Sequence, residues 1–170
     1  ECSSTAIRAM IKKLVAEGKN IIKVRSSVER LFQFITNPNE FAGPIIEAWG
    51  HIYFPTFFDE YEPAIPGTQS FWDACANLGG QSILLNLKAK RRDKEIRSRI
   101  NLSSLGRFIL HYSDPNCKSY YIVVFCYRWN INLFDLTIRI EELLYCFDLL
   151  EIPKENSANA LKKLIIKSLA

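Results

Sequence analysis

Residues 81–102 read QSILLNLKAKRRDKEIRSRINL, and along this stretch the apolar period changes from helical to two. Ile83, Leu85, Leu87 and Ala89 share one side of an extended chain, and Leu84, Asn86, Lys88 and Lys90 share the other, because successive strand side chains point to opposite faces. A polar turn follows at 91–94. The return alternates Ile96, Ser98, Ile100 and Leu102 against Glu95, Arg97, Arg99 and Asn101, which predicts a β-hairpin.

Downstream, 107–112 reads as a third strand and 113–116 as a turn built on Asp114 and Pro115. A fourth strand, 119–129, is apolar at nearly every position, the pattern of a central strand covered on both faces. In 133–150, Leu133, Leu136, Ile140, Leu143, Leu144, Phe147 and Leu150 favour a helix. The alternation of Phe134, Leu136, Ile138 and Ile140 with Asp135, Thr137 and Arg139 keeps a fifth strand to Ile140, followed by a helix, as the alternative. Beyond Pro153, Leu161, Leu164, Ile165 and Leu169 form the apolar stripe of a closing helix.

Upstream, Ile7, Met10, Ile11, Leu14 and Val15 form an amphipathic helical stripe, capped by Ser3 or Ser4 and stopped at Gly18. After a short extended stretch at 20–25, Ser26 and Glu29 form a capping box, and Val28, Leu31, Phe32 and Ile35 predict a second helix, ended by Pro38. A third helix is expected from Pro44 towards Ile52, and a fourth from Ser70 to Leu78, closed by Gly79 and Gly80. The expected fold is a single α+β domain over 1–170: an antiparallel sheet of about four strands, roughly 82–129, packed with N-terminal and C-terminal helices.

Composition bounds the function. With 170 residues, 48% of them hydrophobic and 24% charged, the chain can bury a core without metal or disulfide, which excludes disordered and disulfide-stapled classes. No apolar run approaches the ~20 residues of a membrane-spanning helix. Cys2, Cys75, Cys117, Cys126 and Cys146 are odd in number, widely spaced and free of any C-x-x-C pair. They read as reduced thiols of an intracellular protein, cytoplasmic or nuclear, not a secreted one.

The net charge of +4 is unevenly spread. Lys88, Lys90, Arg91, Arg92, Lys94, Arg97 and Arg99 face only Asp93 and Glu95 within 88–99, a surplus of +5, while the rest of the chain sums to −1. Like charges opposite each other on paired strands repel, so sheet stability does not ask for this arrangement. A polyanion would relieve it: nucleic-acid phosphates or an anionic membrane surface. Protection of an edge strand and an acidic protein partner are the competing readings. A second cluster, Trp49, Tyr53, Phe54, Phe57, Phe58 and Tyr61, either caps the sheet or anchors self-association.

Catalysis has little support in the sequence. His51 and His111 stand outside any zinc motif, no phosphate-binding glycine loop occurs, and Asp59-Glu60 and Glu141-Glu142 are adjacent pairs whose side chains diverge. A thiol enzyme would have to pair Cys117 with His111 or Cys75 with His51. The expectation is therefore a non-catalytic binding and assembly protein, of the matrix-type or RNA-binding accessory kind, without metal or cofactor, self-associating and presenting its basic hairpin to a polyanion. A structural subunit of a larger protein complex comes second, and a small cysteine-dependent enzyme third.

Overall fold

The computed structural model describes residues 3–34, 38–65, 70–92, 107, 110, 111, 113, 114 and 116–148. The first helix forms as its stripe predicts: α1, Ser3–Ala16, buries Ile7, Met10, Ile11 and Leu14. It closes on Gly18 at φ 72°, with Gly18 N donating to Val15 O (3.1 Å) and Lys19 N to Leu14 O (3.0 Å). This is the Schellman closure, which satisfies two carbonyls the helix end leaves open. Strand β1, Ile21–Arg25, follows.

The helix expected from the capping box does not form. Ser26 Oγ instead accepts from Val28 N (3.0 Å), Arg30 adopts a positive φ of 62°, and only a 3₁₀ turn at Leu31–Phe34 remains. Ser26 N and Arg30 N donate to Phe134 O (2.9 Å) and Leu133 O (2.6 Å), so distant backbone takes the place of helical bonds. Pro38, expected as a stop, opens α2, Pro38–Tyr53, where its missing N–H costs nothing. A 3₁₀ turn, Phe54–Thr56, leads to β2, Glu60–Pro63.

The expectation of a four-stranded antiparallel sheet with helices at both ends is overturned. The described elements form one curled, six-stranded mixed sheet in the order β1-β6-β5-β4-β3-β2, with two α-helices, both preceding β2. The predicted fourth helix is strand β3, Ala74–Leu78, whose Ala74 and Ala76 are buried on one face. Gly79 (φ 59°) and Gly80 (φ 80°) are no helix stop. They are the two-residue connection of a hairpin that pairs Leu78 with Gln81 and Ala74 with Leu85, and positive φ at both central residues suits the twist of paired strands.

Strand β4, Gln81–Arg91, then lies parallel to β5, Ser119–Ile131, from Ile83↔Ser119 to Arg91↔Tyr127. The segment 92–118 is long enough for the crossover that parallel pairing requires. The return strand expected at 95–102 and the closing helix beyond Pro153 lie outside the described residues. Within the expected strand at 107–112, Arg107, Leu110 and His111 are helical. As the sequence predicts, β5 is an inner strand, and every residue from Tyr120 to Tyr127 is buried.

The segment favoured as a helix is strand β6, Asp135–Asp148, paired to β5 on one side and β1 on the other. Its register slips twice, between Val124 and Phe125 and between Cys126 and Tyr127 of β5. Each slip leaves one extra residue on β6, so the core-facing positions run 136, 138, 140, 143 and 146. That spacing of two, two, three and three is why a helical template fits a bulged strand.

One face of the sheet carries the main core. Strand β6 packs against α1, with Leu136, Ile138 and Ile140 in the same core cluster as the α1 stripe, and Leu87 meets α2. At Gly50 α2 lies tight against the sheet: a Cβ there would stand 2.9 Å from Leu87 Cδ1. Trp49 Nε1 donates to Lys19 O (2.7 Å), tying α2 to the end of α1.

Candidate polyanion-binding site

Strand pairing brings together cations that are remote in sequence. Tyr127 and Trp129 of β5, and Ile138 and Ile140 of β6, face the core, so Arg128 and Arg139 face outward, and the two are direct partners in the antiparallel register. Arg91 pairs with Tyr127, which puts Arg92 beside Arg128 one residue further along; Arg92 N donates to Tyr127 O (3.1 Å). Three guanidinium-bearing residues therefore stand abreast on neighbouring chain segments, spaced by the ~4.8 Å of adjacent strands. Ile21 of β1 extends the row beyond Arg139, with Lys23 and Arg25 at the next outward positions of that strand.

Like charges abreast are unfavourable, and Glu141 partly compensates them. Glu141 is one of the extra residues of the bulged strand; it accepts from Arg92 Nη1 through Oε2 and pairs with Arg128 Nε through Oε1 (2.7 Å). Glu142 Oε1 lies 3.7 Å from Arg92 Nη1. The hydrogen bond and charge of Glu141 hold Arg92 more firmly protonated than usual. Arg139 is exposed and, among the described residues, has no carboxylate partner. Arg25 pairs with Asp135 at 3.4 Å.

Arg91 points to the other side of β4, its Cζ 5.9 Å from the centroid of the Trp129 ring. Arg91, Arg92, Arg128 and Trp129 line an open cavity of about 440 Å³ where the parallel pairing of β4 with β5 ends. Lys88 is exposed and Lys90 half-buried on the outward face of β4. Of the sequence-predicted cluster, Arg91 and Arg92 line this cavity, Lys88 and Lys90 lie earlier on β4, and Lys94, Arg97 and Arg99 lie outside the described residues. Sequence reasoning did not add Arg128, Arg139 or Trp129. Their signal was present: Arg128 ends the apolar run of β5, and Arg139 interrupts the apolar alternation of β6.

The aromatic cluster serves the core. Trp49, Phe54 and Phe58 are buried, and Trp49 and Phe54 pack on Phe125 with ring centroids 5.7 and 6.1 Å away. Tyr53, Phe57 and Tyr61 are half-buried against the same core. Tyr120 and Tyr121 are buried as well, and Tyr120 donates to Phe71 O (2.5 Å), which leaves neither ring open for stacking.

No hydrogen bond joins either cysteine–histidine pair among the described residues. His51 Nδ1 shares a hydrogen bond with the Tyr61 hydroxyl (2.7 Å), and its Nε2 lies 3.5 Å from Glu47. Cys75 Sγ has Lys118 Nζ at 3.5 Å and Ser82 Oγ at 3.9 Å, while His111 Nε2 meets Lys118 O at 3.0 Å. Cys126 and Cys146 are buried, and burial pushes the Cys126 thiol up. Among the described residues no group of three or more His, Cys, Asp or Glu is placed to hold a metal ion. No helix among them is long and apolar enough to cross a membrane. No family model, curated protein or solved structure matches this chain.

Proposed function

We propose that this protein is a non-catalytic binding module for single-stranded nucleic acid, held by its phosphates where β4 ends beside β5. The observation that carries this reading is the row Arg92, Arg128 and Arg139, drawn from three separate chain segments, with an open cavity beside it. Guanidinium forks match phosphate oxygens two at a time, and arginine tolerates partial desolvation better than lysine. A cavity of about 440 Å³ bordered by the Trp129 indole has the dimensions of a nucleotide-sized group, and indoles stack on bases without regard to sequence. Lys88 and Lys90 continue the basic track along the outward face of β4. The carboxylates of Glu141 and Glu142 hold the arginines in place until phosphates displace or join them.

The test is fluorescence anisotropy with a labelled single-stranded RNA. Lys88→Glu, Lys90→Glu and Arg139→Glu change exposed or half-exposed side chains that have no ion pair among the described residues, so the fold should survive. Combined, they are expected to weaken binding by at least about tenfold at moderate salt. Wild-type affinity in the triple variant would overturn the assignment.

A further inference from the structure

Ten large apolar side chains are exposed among the described residues, and five of them sit on two loops that meet at one end of the sheet. Val28, Leu31 and Phe34 follow β1, while Leu133 and Phe134 form the turn between β5 and β6. Phe34 is 78% exposed. The hydrogen bonds from Ser26 N to Phe134 O and from Arg30 N to Leu133 O fasten the loops together, so these side chains are displayed on a fixed backbone. Exposed apolar groups concentrated in this way mark an interaction surface.

We infer that this apolar tip inserts into the interface of an anionic lipid bilayer. Its surroundings choose the partner. Lys23, Arg25 and Arg30 flank the loops, and the nearby carboxylates, Glu29 and Asp135, lie 3.8 Å from Arg30 and 3.4 Å from Arg25. Lys23 and, beyond it, Arg139 have no carboxylate partner among the described residues, so the rim is positive. A second copy docked on this tip would set cations against cations. Anionic headgroups reverse the sign of that interaction, and the acyl region below them receives the apolar side chains. Apolar insertion together with basic residues supplies the two signals that stable peripheral attachment requires. This surface lies on the β1 side of the sheet; its basic rim continues from the Arg139 end of the row used in the nucleic-acid reading, whereas its apolar side chains take no part in that reading.

Co-sedimentation of the full chain with phosphatidylcholine vesicles containing about 30% phosphatidylserine tests it, with pure phosphatidylcholine vesicles alongside. Binding is expected to the anionic vesicles alone. Phe34→Ser with Phe134→Ser should reduce partitioning at least about tenfold, and Lys23→Glu with Arg30→Glu should do the same by removing the second signal. Both pairs are exposed, and an unchanged thermal melt confirms that they fold. RNA affinity measured on the double-serine variant, which leaves every cation in place, should stay at the wild-type value, and this separates a failure here from a failure of the nucleic-acid site. Three results would each overturn the inference: no sedimentation of wild type with anionic vesicles, equal binding by the double-serine variant, or a dimer in gel filtration that this variant dissociates.

Discussion

Gly79 and Gly80 show how one dipeptide supports two readings. After a presumed helix they are a stop; between two strands they are the turn itself, both in the left-handed region and with open space where a Cβ would stand. Gly79→Asn should therefore be nearly neutral, because Asn-Gly is the favoured pair for this turn, whereas Gly80→Val should cost about 1–2 kcal/mol. Urea unfolding of the two variants checks this, and equal stability would contradict the hairpin. Asp73 offers a pH test. Its Oδ2 accepts from Leu87 N (2.6 Å), and burial raises its pKa above the usual carboxylate value of 3.8, against the pull of Lys88. Folding thus favours the protonated acid: no penalty applies below the unfolded pKa, and it grows as pH rises through the folded value. Asp73→Asn retains an acceptor for Leu87 N and should gain stability over wild type as pH rises above about 4, a difference measurable by denaturant titration at stepped pH.

What was legible in the sequence divides along contact distance. The α1 stripe and its glycine stop were readable because a helix is specified by residues within one or two turns. Burial of 120–127 was readable from apolarity alone. The identity of β6 was not, because its two bulges appear only when it is aligned against β5. Similarly, Ser26 and Glu29 carry a correct local cap signal that loses to hydrogen bonds with Leu133 and Phe134, more than a hundred residues away. Strand order makes a checkable statement here. Amides of Ile122, Val123 and Val124 lie between two paired neighbours and should exchange slowest, while those of the edge strands β1 and β2 exchange faster, as hydrogen-exchange NMR would read. On the helical layer, Ile11→Ala should cost about 2–5 kcal/mol in chemical unfolding, since the side chain is 2% exposed between α1 and the sheet.

The charge surplus of 88–99 was visible as arithmetic, but a local count could not show that Arg92 joins a row across strands. Arg128 and Arg139 contribute nothing to a local charge count, and only pairing places them beside Arg92. The surface proposed to bind is thus a property of the sheet, with basic residues towards β4 and an apolar tip towards β1. The most direct measurement is the salt dependence of single-stranded RNA affinity. If about four phosphates are neutralised, log affinity should fall against log salt concentration with a slope of about −3, and Lys90→Glu with Arg139→Glu should make it shallower by about 1.4. A wild-type slope near zero, or a slope that the double variant leaves unchanged, would contradict the assignment of phosphate binding to this row.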